Sequence, residues 1–152
     1  MALSKTGAIY ITQSDESRVL KFDSIADFTA DLYGHSGDGK GGFRRPYGIC
    51  LDDAGRIYVT QMGDTDEQKL IRFDDMTGAN WVEYGSKGSG PAHFNNPYDV
   101  AVDSANHIYI NDSGNFRIVR LDGMGGQNWT TYGQSGSGVG GFSGALLTVK
   151  VN

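Results

Sequence analysis

Apolar residues along this chain fall in short runs separated by glycine-rich and acidic turns, with no stretch that sustains helical spacing. Around the middle the runs are residues 47–52, 56–60, 69–73 and 80–84, each rich in Ile, Val, Tyr, Phe or Trp. Runs of that length and content predict strands. The links between them, Asp53-Ala54-Gly55, Asp75-Met76-Thr77-Gly78 and the glycine-rich 85–90, are turn sequences. Four strands joined by short turns make an antiparallel meander.

The pattern occurs three times. Ile9-Tyr10-Ile11, Ile57-Tyr58-Val59 and Ile108-Tyr109-Ile110 recur 48 and then 51 residues apart, and Phe43, Phe94 and Phe142 recur 51 and then 48 apart. The middle copy carries three extra residues, within 61–69. A repeat of about 50 residues built of four strands predicts propeller blades, each needing a neighbour to cover its apolar faces. The expected blades are about 1–34, 43–85 and 94–133, in a single all-β domain over 1–152.

The third copy resembles an NHL repeat. It has Phe94, Pro97 and Val100-Ala101-Val102-Asp103, then Ile108-Tyr109, Asp112, Asn115 and Arg117-Ile118. The second copy is similar through Phe43, Pro46, Gly48 and Asp52, the first through Ile9, Tyr10, Arg18 and Phe22. The resemblance implies a β-propeller, usually six-bladed, with the first strand of each blade lining a central channel. It implies a buried Asp–Arg pairing at Asp112 and Arg117, because the first copy has Gln13 and the middle copy Gln61 at the Asp112 position. The family includes lyases, RNA binders, protein binders and sensor domains, so it leaves activity open.

In the repeat alignment Met1 falls midway through an inner strand, whereas 145–152 reads as a complete extra one. Three blades cannot close a ring, since each would subtend too wide an angle for a four-stranded sheet. The expectation is a homodimer of two such chains, a six-bladed ring, with the inner strand around Leu146, Leu147, Val149 and Val151 exchanged into the partner's first blade. An expressed fragment of a six-bladed protein is the alternative.

Composition narrows function mainly by exclusion. A net charge of −5 opposes capture of a phosphate backbone, although Arg44-Arg45 is a local basic doublet. The lone Cys50 excludes an intrachain disulfide and reads as a buried, inert thiol. No apolar run is long enough to span a membrane, and residues 1–4 lack a signal-peptide layout, which makes the cytoplasm the default expectation. No cofactor loop is present: Gly39-Lys40 is followed by Gly41 where a phosphate loop needs Ser or Thr. Calcium is the cation that the clustered turn carboxylates could suit, with turn capping as their simpler role.

The residues leading into the inner strands are the best candidates for binding: Arg44, Arg45, Tyr47, Asn95, Asn96 and Tyr98. They suit a small molecule, peptide or sugar at the channel mouth, and a non-catalytic binding or scaffold module is the first reading. A propeller lyase or hydrolase is the alternative, with His93, Arg45 and Tyr98 as its candidate group. RNA binding is a second alternative, resting on Arg44-Arg45 and Lys40 alone. Trp81 and Trp129 share one repeat position and are expected to pack between blades rather than to stack on a sugar.

Overall fold

The computed structural model describes residues 1–26, 29–64, 66–143 and 148–151. The first blade comprises β1 (Ala2–Leu3), β2 (Ile9–Gln13), β3 (Arg18–Phe22) and β4 (Asp31–Tyr33). A short parallel pair, β5 (His35–Ser36) with β6 (Gly42–Phe43), closes the glycine-rich loop that follows. The second blade comprises β7 (Pro46–Leu51), β8 (Ile57–Met62), β9 (Gln68–Phe73) and β10 (Val82–Tyr84), followed by the loop pair β11 (Ser86–Lys87) and β12 (His93–Phe94). The third repeats this with β13 (Pro97–Val102), β14 (Ile108–Asp112), β15 (Arg117–Leu121) and β16 (Thr130–Tyr132), then β17 (Gln134–Ser135) and β18 (Gly141–Phe142). Each blade is a four-stranded antiparallel meander in chain order. Helix is confined to one 3-10 turn, Ser113–Asn115, so no helix of the described residues is long and apolar enough to cross a membrane.

The expected inner stub of the first blade is present. Ala2 pairs with Tyr10 and Leu3 with Ile9, and among the described residues Ile11–Gln13 have no partner strand on that edge. The expected exchanged strand looks different. Leu146 and Leu147 lie outside the described residues, and 148–151, including Val149 and Val151, form no strand. They lie instead across the inner wall, where the Val149 N–H donates to Asp99 Oδ2 at 2.9 Å. A strand docking along the whole of β2 would have to displace β1, because antiparallel pairing saturates one edge at a time.

The core sits between blades. One cluster joins Ala8, Tyr10 and Val19 of the first blade to Ile49, Ile57, Val59, Ile71 and Phe73 of the second, with Phe43 at its centre. The other joins Tyr58 and Leu70 to Val100, Ile108, Ile110, Val119 and Leu121 around Phe94. Trp81 and Trp129 belong to these joints, as expected: Trp81 stacks on Phe73 at 5.6 Å and meets Phe43 at 5.2 Å, and Trp129 meets Phe94 at 5.6 Å. Tyr33 ends the outer strand of the first blade, packs on Phe43 and Phe73, and reaches the second blade's turn at Gly78. Gly78 has φ of +69°, and a Cβ there would overlap the Tyr33 hydroxyl. Two independent requirements thus demand glycine. Gly78→Ala is expected to destabilise the chain by about 3 kcal/mol, read as a fall in the denaturant midpoint.

The acidic turns at the other end are structural. Asp52 Oδ1 accepts from the N–H groups of Ala54 and Arg56, and Oδ2 accepts from Arg56 Nε and Tyr58 Oη. Asp103 repeats the arrangement with Ala105, His107 and Tyr109. Burial works against ionisation of Asp103, but hydrogen bonds from His107 and Tyr109 outweigh it and hold the carboxyl below its usual range. A depressed folded pKa adds stability above the ordinary carboxylate pKa and loses it as pH falls through the folded value. Asp103→Asn is therefore expected to lower Tm at neutral pH, with the difference from the parent shrinking once pH falls below about 4.

Candidate binding site at the inner mouth

The inner strands β7 and β13 begin alike. A residue in the left-handed region, Arg45 at φ 55° or Asn96 at φ 50°, precedes a proline that opens the strand. In both, the pairing register shifts just after the proline, between Pro46 and Ile49 and between Pro97 and Asp99. A bulge at that position re-aims the side chains beside it. The residues involved are Tyr47 and Tyr98, half-buried on the inner wall with ring centroids 5.2 Å apart. Gly48 permits the approach: a Cβ there would stand 2.5 Å from the Asp99 Cα and 2.8 Å from the Tyr98 carbonyl oxygen. Its own N–H donates to Thr60 Oγ1.

The other four candidates are committed to neighbours. Arg44 holds Asp38 through two bonds of 2.8 and 3.1 Å, and its N–H donates to Gln61 Oε1. Arg45 donates to Asp64 Oδ1 at 3.0 Å, with its guanidinium 6.0 Å from the Tyr47 ring centroid. The Asn95 N–H donates to Asp112 Oδ1, and the Asn96 N–H to Gln68 Oε1 in the neighbouring blade. The asparagines therefore anchor the backbone, and the arginines carry neutralising acids.

His93 stands apart from this group. Its ring Nδ1 lies 2.6 Å from the Pro91 carbonyl oxygen within its own loop, and its carbonyl accepts from Arg117. No hydrogen bond or ion pair connects it to Arg45 or Tyr98 among the described residues. The glycine-rich loop is fixed by the expected Asp–Arg pair. Asp112 Oδ2 accepts from Arg117 Nε at 2.7 Å and from Asn115, and Arg117 reaches on to the carbonyls of Ser89, Gly90 and His93. Burial pushes the Asp112 pKa up against these donors. In the other copies glutamine takes the acid's place, with Arg18 on Gln13 and the Arg44 N–H on Gln61. Asp112→Ala would leave a guanidinium and a buried N–H short of partners. It is expected to cost about 3 kcal/mol and to speed hydrogen exchange across 86–94 more than elsewhere.

One inner-wall residue escaped the sequence reading. Asp99 occupies the position that is Gly48 in the second copy, and its carboxylate faces the wall and accepts the Val149 N–H. The departure from the glycine of the repeat was the available signal. The whole wall, from Ala2 and Leu3 across β7 to β13, bounds a concavity of about 530 Å³. Cys50 lies on β7, where burial pushes its thiol pKa far up, as an inert packing residue requires. Among the described residues no three His, Cys, Asp or Glu side chains cluster as metal ligands would.

Three successive meanders packed face to face, inner strands along one concave wall, define β-propeller blades. Residues 94–121 match the NHL repeat, so the third blade carries that family's repeat. It is similar to human NHL repeat-containing protein 3, at 33% identity over 73 residues, 48% of this chain and 21% of that protein. It is similar to a probable peptidyl-alpha-hydroxyglycine alpha-amidating lyase of Caenorhabditis elegans, at 35% identity over 77 residues, 49% of this chain and 21% of that one. Among solved structures it resembles streptogramin B lyase (TM-score 0.59, 20% identity, 86% of this chain, 38% of that one). It also resembles a catalytically inactive virginiamycin B lyase from Staphylococcus aureus with quinupristin (TM-score 0.58, 18% identity, 86% and 39%). The chain spans roughly a fifth of the first and last-named curated relatives and under two fifths of the lyase chains. At these identities the solved structures show the fold alone.

Proposed function

We propose that this chain is a non-catalytic binding module, half of a six-bladed ring, whose ligand is an extended peptide seated on the inner wall over the Tyr47 and Tyr98 pair. The observation that carries the reading is Asp99. Its carboxylate stands beside the tyrosine pair and accepts the backbone N–H of Val149. Tyrosine supplies rigid amphipathic contact area at low entropic cost, and a carboxylate beside it selects N–H groups. Sugars and small molecules with a planar face are the competing occupants. The test is a calorimetric screen of short peptides against sugars, followed by variants. Asp99→Asn and Tyr98→Ala are each expected to weaken peptide binding about tenfold with Tm little changed. Binding unaffected by both changes would overturn the reading.

A lyase is the second reading, favoured by the similarity to the amidating lyase. On that reading His93, Arg45 and Tyr98 would converge on substrate. The His93 ring held at Pro91 and the Arg45 guanidinium held at Asp64 speak for binding instead. Turnover of a peptide or lactone substrate that is abolished in His93→Ala would decide for the lyase. RNA binding loses its support once Arg44 and Arg45 are each matched to an acid, since paired charges release few counterions. Calcium finds no open carboxylate set at Asp52 or Asp103, whose oxygens serve their own turns.

A further inference from the structure

The two internal joints are asymmetric in the same way. The leading blade offers a tyrosine at the end of its outer strand and a phenylalanine after its glycine-rich loop. The following blade offers the turn before its own outer strand. That turn reads Met76-Thr77-Gly78-Ala79-Asn80-Trp81 in the second blade and Met124-Gly125-Gly126-Gln127-Asn128-Trp129 in the third. It is a built element. Asn80 and Asn128 take positive φ of 52° and 51°, and each side-chain amide donates to the aspartate that opens the turn, at 2.7 and 2.6 Å. Gly78 and Gly126 lie against the hydroxyls of Tyr33 and Tyr84, where a Cβ would not fit. The indoles then cover Phe43 and Phe94, both fully buried.

The third blade presents the leading half a third time. Tyr132 and Phe142 stand at 6.2 Å and 72°, against 6.3 Å and 87° for Tyr33 with Phe43 and 6.2 Å and 67° for Tyr84 with Phe94. The receiving geometry is therefore set with no described residue of a following blade docked on it, and Tyr132 is 62% exposed. The repeat shows which blade would fill this face. At the positions of Met, Gly, Asn and Trp the first blade has Ile25, Asp27, Thr29 and Ala30. Ile25 is 90% exposed. A second copy would thus bring up a turn without the glycine that admits a tyrosine hydroxyl and without the indole that covers the phenylalanine.

We infer that the open face at Tyr132 and Phe142 is a docking surface for a further blade bearing a Met-x-Gly-x-Asn-Trp turn, and not for the first blade of a second copy. This is independent of the peptide reading, which concerns the inner wall. It replaces the homodimer expected from the repeat alone: the two end faces of this chain do not repeat the complementarity of its internal joints.

The experiment grafts the turn onto the first blade. Sedimentation equilibrium compares the unmodified chain with the variant Asp27→Gly, Thr29→Asn, Ala30→Trp. The variant is expected to self-associate at least about tenfold more tightly, since one buried aromatic contact of this kind alone is worth about that factor. Tyr132 should lose reactivity to nitration in step, and adding Phe142→Ala should cancel the gain. An unmodified chain that dimerises as tightly as the graft, and dissociates on Phe142→Ala, would overturn the inference. So would a folded graft with no gain. Should the graft not fold, a second copy of residues 43–93 inserted between Gly141 and Phe142 supplies the matching blade in the same chain. Protection of Tyr132 and a raised Tm are then expected, and an unprotected Tyr132 would be decisive against the idea.

Discussion

The structure depends on one contact, the aromatic joint between successive blades. A four-stranded meander is apolar on both faces, and neither face can be covered from within the blade. Phe43 and Phe94 sit at the centre of the two covered joints. Each is clamped by a tyrosine from its own blade and by an indole from the next. The glycines before the short parallel pairs belong to the same device. Gly34 and Gly85 lie against the phenylalanine rings and take positive φ of 118° and 94°, so the chain can turn where the ring must pack.

The mouth is shaped by the same economy of backbone. Strands β7 and β13 start from a left-handed residue and a proline, then bulge, and the bulge presents Tyr47 and Tyr98 to the wall. Charge there is distributed with restraint. Each arginine of the basic doublet meets an acid from a neighbouring loop, Asp38 or Asp64, and the Asp99 carboxylate on the wall accepts the Val149 N–H.

Much of this was legible beforehand for a physical reason. Strand length, turn chemistry and a repeat of about 50 residues are local or periodic signals, and all three survive in a single sequence. The four-stranded meanders, the inner stub at Ala2–Leu3 and the place of Trp81 and Trp129 followed from them, and the Asp112–Arg117 pair from the resemblance to the NHL repeat. The partners of Arg44, Arg45, Asn95 and Asn96 were not legible. They lie 6 to 28 residues away, in loops and at strand ends whose convergence depends on how sheets pack. His93 shows the same gap, since adjacency to Phe94 in sequence gave no direction for its ring.

The sequence by itself determined the unit: a four-stranded meander, three times over, with aromatic residues at fixed positions, because backbone propensity and side-chain alternation act within a few residues. Only the tertiary structure decided which side chains are free to meet a ligand and which faces still want a partner. Asp99 became a wall carboxylate because Gly48 lets its strand come close. Tyr132 is exposed because, among the described residues, no turn packs on it as those at Gly78 and Gly126 pack on Tyr33 and Tyr84, and complementarity between two surfaces is a property that neither carries alone.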